Sequence, residues 1–363
     1  MSTWLMTFNE LEKTNLKFFA KALQEQAEPG YQEDQTRLIW TNFANDHSLS
    51  IHHILDGKAP VITLGDYQHA DYKVVFTADL DAVWNPLTET WMHLCGHHAQ
   101  SVHAFALALL YQQGFFSPAV AVRLIGCPAE ECYPAFFPTD VSRFIPGKQK
   151  LYEQGAFKGA SCVLSTHLAD DISTRTVVFA RGAYGLIWLR LRHRAPDEES
   201  LHTDEIAHIK AFLHSCFVDM MLVGHDLRIR TKVCHDSGAR PSGDELIAFL
   251  HRMGVDVFLV SEYPPLLQDK NLLKTSRRLL CEQYPDVTSL TSVFLQGATD
   301  FGVASYETPT FQLFVGGTQH MTHDPAFTVL DEEFAYLFAG AFLANLIQRL
   351  ACDEPNRKGR RTL

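Results

Sequence analysis

Apolar positions recur along this chain with two periods, and each change of period marks an element. Leu11, Leu16, Phe18, Phe19 and Leu23 predict an amphipathic helix over about Asn9 to Gln26, ended by Pro29-Gly30; a second helical piece covers Thr36 to Phe43. Four short apolar runs predict buried strands: Val74 to Ala78, Ala119 to Ile125, Ala160 to Ser165 and Phe311 to Val315. Between the first two, Phe105, Leu107, Leu109 and Leu110 predict a helix from about His97 to Gln113. Strand alternating with helix predicts an α/β protein, with a large mixed or parallel sheet covered by helices on both faces.

The middle of the chain has another rhythm. Gly185 to Arg192 reads as a strand, with Ile187, Leu189 and Leu191 on one apolar face; Leu186, Trp188 and Arg190 form the other, where the arginine implies partial exposure. Asp204 to Met221 predicts a helix, Arg228 to Val233 a strand, Asp244 to Met253 a helix and Val255 to Val260 a strand, before Tyr263-Pro264-Pro265 breaks the pattern. This β-α-β-α-β run predicts a small inserted α+β domain over residues 182–268, dividing the main domain into 1–181 and 269–363. The main domain resumes with a helix near Asn271 to Gln283.

Composition adds exclusions. The 363 residues are 46% apolar and 20% charged, as in an ordinary globular protein. A net charge of −11 argues against nucleic acid or an anionic membrane as the main partner. The basic run Arg357-Lys358-Gly359-Arg360-Arg361 reads as a solvated tail. Met1 to Glu12 lacks the charge-then-apolar order of a signal peptide, and no membrane-span window is expected. The eight cysteines do not read as a disulfide framework, so those other than Cys95 are expected to be reduced and the protein cytoplasmic.

The chemistry gathers at or just beyond predicted strand ends, where open α/β sheets place their sites. In order the motifs are His93-Leu94-Cys95-Gly96-His97, Pro128-Ala129-Glu130-Glu131, Ser165-Thr166-His167 and Thr322-His323-Asp324-Pro325. Taken singly, each has a plainer reading: a buried cysteine, a satisfied core histidine, a solvated acid pair. Together, thiolate, imidazole and carboxylate suit a pair of divalent transition-metal ions, with zinc, manganese, cobalt and nickel all compatible. Gly96 permits a tight turn that sends two ligand types to one point. Of the acid pair, Glu131 can ligate while Glu130 stays free as a base; two acids so close raise one another's pKa, which suits general acid–base work. Asp79 and Asp81 stand two apart; one of them can bridge metals or hold a ligand histidine by its second nitrogen. Asp300 sits at a helix start or orients a loop beside the site.

The ordered set resembles the metal-dependent amidohydrolase and metallopeptidase family of hippurate hydrolase, bacterial N-acyl-amino-acid amidohydrolases and plant auxin-conjugate hydrolases. The resemblance runs from Glu28-Pro29-Gly30-Tyr31-Gln32-Glu33, like the family's P-E-L-G-F-x-E, through Ala78-Asp79-Leu80-Asp81-Ala82 and the motifs above, to Tyr263-Pro264-Pro265, Gly297 to Phe301 and His323 to Phe327. It implies a metallopeptidase-like catalytic domain with an inserted lid, and two divalent ions held by Cys95, His97, Glu131, His167 and His323. It implies that Glu130 takes a proton from the attacking water and passes it to the leaving amine. Asp81 is counted with Glu130 as catalytic, and Asp79, His98 and Asp300 as supporting the site or substrate. The implied reaction is hydrolysis of a small N-acyl amino acid or related compound, with a homodimer left open. Two other readings stay open: a metal-binding member of the fold with little catalysis, and a dipeptide-cleaving metallopeptidase.

The chain also departs from the family. His98 stands where an aspartate follows C-G-H, and Ala298-Thr299-Asp300-Phe301 replaces S-E-D-F. The lid's usual G-x-x-H histidine has no clear match in Arg192 to Pro196, where only His193 is near. The lid is expected to be reduced, lacking strands between its first helix and Arg228. Cys132 to Lys148, rich in Phe and Pro, is extra sequence expected to wall the substrate pocket.

Overall fold

The four apolar runs lie side by side at the centre of one sheet. The computed structural model describes residues 7–132, 143–191, 203–213, 216–223, 226–232, 242–292 and 294–358. Eight strands follow the order Ile51–Ile54, Ala59–Leu64, Val120–Cys127, Tyr72–Asp79, Cys162–Leu168, Thr310–Val315, Thr176–Ala180 and Thr288–Ser292. The four central strands run parallel, and antiparallel pairings begin on either side of them, so the sheet is mixed. The register sets Asp79 beside Cys127, Thr77 beside Ser165 and His167 beside Phe314. The C-terminal ends of all four central strands therefore meet at one edge.

Local chemistry explains the helices on this frame. Asn9 caps the first helix, Glu10–Glu25, in a reciprocal box with Glu12. The second runs Asp34–Asp46, longer than the apolar spacing implies. His97–Gln112 is buried on every side from His97 to Leu110, so its polar groups are tied down individually. Gln100 bonds Asp79, Ser101 accepts from Trp40 Nε1 at 2.9 Å, and His103 bridges Thr166 and the Ala335 carbonyl.

A helical run from Phe334 to Lys358 closes the chain, its first turn π-wound. Its Phe334–Asp353 stretch is long and apolar enough to cross a membrane, which corrects the expectation of no such window. A helix packed into a core on most sides reads as apolar all round, and 78% of this window is buried inside the fold.

The inserted region differs most from expectation. The predicted helix Asp204 to Met221 is a helix only over Thr203–Leu213, and Phe217–Val223 is a strand. That strand pairs antiparallel with Asp226–Thr231, where Asp219 faces Arg230 and accepts from its Nε at 2.7 Å. Helical periodicity overran a segment whose Phe, Val and Leu content serves a strand equally well; antiparallel pairing with the strand that follows decided the outcome. The order is thus β-α-β-β-α-β, and the expected shortage of lid strands is corrected. Its sheet runs Phe217–Val223, Asp226–Thr231, Gly182–Leu191, Val257–Tyr263. Ile187, Leu189 and Leu191 pack with Ile209, Leu246 and Leu250 beneath the two helices. Alternation leaves Leu186, Trp188 and Arg190 on the opposite face.

Cys216 is disulfide-bonded, which corrects the expectation that all cysteines beyond Cys95 are reduced. Cysteine usage therefore carries no argument about compartment. His193, the run Phe136-Phe137-Pro138 and the tail residues Gly359, Arg360 and Arg361 lie outside the described residues.

Candidate metal centre

Each donor candidate leaves the sheet edge on its own short connection. Gly96 adopts a left-handed φ of 80° between Cys95 and the helix starting at His97, and a Cβ there would sit 2.8 Å from Leu168 Cδ1. Only glycine makes that turn without strain, and the turn puts thiol and imidazole on one point. Glu130 and Glu131 follow the strand ending at Cys127, and His167 lies near the end of Cys162–Leu168. His323, at φ 68°, is fixed by its N–H donating to the Leu94 carbonyl at 3.0 Å.

The donor atoms converge in overlapping groups. Those of Cys95, His97 and His167 lie within 4.8 Å of one another, as do those of Cys95, Glu131 and His323, and of His97, Glu130 and Glu131. Cys95 Sγ is 3.3 Å from His167 Nε2, and His323 Nε2 is 3.0 Å from Glu131 Oε1. Donors sharing one tetrahedral ion at ordinary Zn–N and Zn–S lengths stand about 3.4–3.6 Å apart, so these spacings suit a common cation.

The outer contacts of the imidazoles fix their tautomers. His97 Nδ1 donates to the Asp81 carbonyl at 2.9 Å and lies 3.3 Å from Asp81 Oδ1; His167 Nδ1 donates to the Leu168 carbonyl at 2.7 Å. In the neutral form of each ring Nε2 then turns its lone pair toward the donor cluster, where a proton or a cation can take it. His97 Nε2 is buried without a hydrogen-bond partner among the described residues. An orphaned buried lone pair is costly, and a cation there removes the cost.

Electrostatics agree with a cation-shaped site. Burial would push the Cys95 thiol up, but His97, His167 and His323 outweigh it and bring it down to about 5. Burial likewise acts upward on Glu131, yet His323 and His97 hold it at about 2. The Glu131 carboxylate in turn lifts His323 to about 12. Protons on histidines balance the thiolate and carboxylate here, and divalent ions would supply the same balance. Glu130 differs: burial first, then Glu131 and Asp300, push it well above the carboxylate range.

The loop carrying Glu130 is clamped along its length. Ala129 holds a positive φ of 55°. Its N–H donates to Glu33 Oε1 at 2.8 Å, and its carbonyl accepts from Gly147 N at 3.1 Å. Tyr263 Oη donates to the Glu130 carbonyl at 2.8 Å, and Glu131 N donates to Asp81 Oδ2 at 2.7 Å. Asp81 therefore holds both a ligand imidazole and the acid loop. Gly30 packs against Ala129 so closely that a Cβ would lie 2.9 Å from its Cα.

Three residues expected to support the site stand behind the donor cluster and make their hydrogen bonds outside the donor set. Asp79 is bound by Gln100 and by Lys148 Nζ, neither of them a donor candidate. Lys148 Nζ also reaches Asp300 Oδ1 at 2.5 Å, while its backbone N donates to Asp300 Oδ2 at 2.9 Å. All three are buried, so one ammonium is held charged between two carboxylates. His98 lies with Nε2 3.1 Å from Tyr336 Oη and its ring 5.5 Å from that of His93.

Sequence reasoning did not single out Lys148, Glu33 as a clamp, or the lid wall. A charged residue after Pro146-Gly147 reads as surface, and nothing local signals its burial. Glu33 lay within the quoted Glu28–Glu33 motif, but only the fold brings it to Ala129. Above Glu130, Glu131 and His323 opens a cavity of about 450 Å³, walled on the lid side by Trp188, Arg190, Arg228 and Tyr263.

The chain matches the family described as peptidase family M20/M25/M40 over residues 70–349. No curated protein sequence matches it significantly. Among solved structures it is similar to YxeP of Bacillus subtilis, a dinuclear metal binding peptidase of the M20 family, at TM-score 0.66 and 18% identity, covering 95% of this chain and 99% of that one. A candidate aminohydrolase from methicillin-resistant Staphylococcus aureus gives TM-score 0.68 at 16% identity, with 96% and 99% covered. A hydantoinase/carbamoylase family amidase from Burkholderia ambifaria gives 0.56 at 12%, with 93% and 97% covered. At these identities the likeness speaks for the fold.

Proposed function

The chain belongs to peptidase family M20/M25/M40, and from that premise we propose that it hydrolyses the amide bond of a small N-acyl amino acid or related N-acyl compound. The reading places it with the hippurate hydrolase type of amidohydrolase. The observation that carries it is the convergence of Cys95, His97, His167, Glu131 and His323 in overlapping donor groups, with Glu130 in one of them. Two divalent ions fit this donor set, with Cys95 common to two of the donor groups. When bound, they would lower the pKa of a water and polarise the scissile carbonyl.

The chain's own residues do the rest. Glu130, whose carboxyl burial and Glu131 hold well above the usual carboxylate range, takes the proton of the attacking water and delivers it to the leaving nitrogen. The clamps at Glu33, Gly147 and Tyr263 fix the backbone from which it works. Asp81 orients His97 and steadies Glu131, so its part is positioning. The lid sheet roofs the cavity and limits water around the reacting bond.

Two measurements test this reading. Purified protein should hold close to two equivalents of zinc, manganese, cobalt or nickel per chain, and Cys95→Ala should lose at least one. Glu130→Gln should keep its metal while kcat on N-acyl amino acids falls by about 10²–10⁴. Equal turnover by parent and Glu130→Gln, or a parent that binds no metal from excess zinc or manganese, would remove the reading. Metal without turnover would favour a binding protein of this fold.

A further inference from the structure

Behind the acid loop lies a buried charge cluster with no hydrogen bond to a metal donor among the described residues. Lys148, Asp79 and Asp300 are each at most 2% exposed. Buried ion clusters can often be exchanged for apolar groups without loss of stability, so stability alone does not account for this one. Its place in the fold does.

Three elements meet at the Lys148 ammonium, and a fourth is one hydrogen bond away. Asp79 ends the strand Tyr72–Asp79, in register with Cys127, where the strand leading to the acid loop also ends. Asp300 opens the tight helical turn Asp300–Tyr306. Lys148 is the second residue of the helix Gly147–Glu153; its backbone N donates to Asp300 Oδ2 at 2.9 Å, and its Nζ donates to both carboxylates. Asp79 is also held by Gln100, which accepts from its backbone N at 2.9 Å and donates to its Oδ2 at 3.2 Å. Gln100 lies in the turn after His97, on the helix that carries that donor.

The residue before Lys148 passes this position to the acid loop. Gly147 N donates to the Ala129 carbonyl at 3.1 Å, and a Cβ on Gly147 would fall 1.7 Å from the Pro128 carbonyl oxygen. No side chain fits between the helix start and the loop, so the loop sits where the helix start puts it.

We propose that Lys148 is a positioning residue for Glu130. Its ammonium ties the helix start behind the acid loop to the element that carries His97, and so sets the base against the donor cluster. The inference rests on the amide-hydrolase reading for what Glu130 does; the placement of the loop is independent of it. A misplacement of about 1 Å costs on the order of 10² in rate.

The test compares the full-length, metal-loaded parent with Gly147→Ala and with the triple variant Lys148→Met, Asp79→Asn, Asp300→Asn. The triple variant leaves no uncompensated charge buried, so it should fold. Two readouts are taken: kcat and KM on the N-acyl amino acid the parent turns over best, and hydrogen–deuterium exchange of the peptide spanning Cys127 to Cys132. The Ala129 and Glu131 amides in that peptide are bound to Glu33 and Asp81. In the triple variant kcat should fall about tenfold to a hundredfold, with KM and bound metal unchanged. The acid-loop peptide should exchange at least about tenfold faster while the strand Cys162–Leu168 keeps its protection. Gly147→Ala keeps all three charges and should reproduce both effects. Parental kcat or parental loop protection in either variant would overturn the proposal. So would exchange that rises equally throughout the sheet, or a triple variant that does not fold, because either marks the cluster as structural only. Hydrolysis by the parent with no loss in the triple variant sinks this inference and leaves the amidohydrolase reading standing. Local loss of loop protection in a protein that never hydrolyses amides does the reverse.

Discussion

Replacing Lys148 by methionine should be among the most damaging single changes outside the donor set. The side chain is fully buried, as are Asp79 and Asp300, and its ammonium is the cation bound between them. Methionine keeps much of the volume but leaves two carboxylates without their counter-ion. Removing one partner of a buried ion pair costs about 3–5 kcal/mol, roughly two to three and a half orders of magnitude in the unfolding equilibrium. The cost should depend on pH, with a definite sign. Burial and Asp79 already push Asp300 up to about 6 against the pull of Lys148. A carboxyl raised above its unfolded value contributes stability below the unfolded pKa, and that contribution is lost as pH rises through the folded pKa. Without the lysine, Asp300 rises further, so the variant should suffer most at pH 8 and recover part of the loss near pH 5.5. Urea unfolding followed by tryptophan fluorescence at both pH values measures this. Neutralising the whole group with Lys148→Met, Asp79→Asn and Asp300→Asn should restore at least half of the loss, because no uncompensated charge is left buried. A single-variant loss below about 1 kcal/mol at pH 8, or one that grows as pH falls, would refute the reasoning.

Two further outcomes follow from the site. In metal-stripped protein, alkylation of Cys95 by iodoacetamide should rise with pH around a midpoint near 5, because three imidazoles favour the thiolate, and adding zinc should suppress it; a midpoint at or above 8 would contradict the electrostatic account. Gly30→Ala should displace Ala129, whose Cα and Cβ would lie 2.9 Å from the new methyl. Stability should drop by about 1–3 kcal/mol, and kcat should fall with bound metal unchanged; full activity would show that the clamp does not govern Glu130.

The amino-acid sequence by itself determined the central strands, the long helix after Gly96 and the ordered donor motifs. Continuous short apolar runs bury both faces only as sheet-centre strands, and a glycine between two ligand types makes one particular turn. It also placed the donors at strand ends, because parallel strands of similar length must finish at one edge. It could not place the hairpin strand Phe217–Val223, an edge strand whose backbone pairs with the strand that follows and whose residues suit helix or strand alike. Nor could it tell that Asp79 and Asp300 share Lys148 while Asp81 serves His97: residues two apart at a strand end have similar local chemistry, and only the packed neighbours separate their roles. The cavity wall was equally hidden. Trp188 was legible as the partly exposed face of a strand, but its stack with Arg228 depends on the register between two strands joined through the lid. Local patterning fixes which groups are available, because it acts through backbone conformation and burial. Tertiary structure decides which of them share a charge, a proton or a ligand, because those interactions fall off within a few ångströms and the chain separation between partners here runs from tens of residues to more than a hundred.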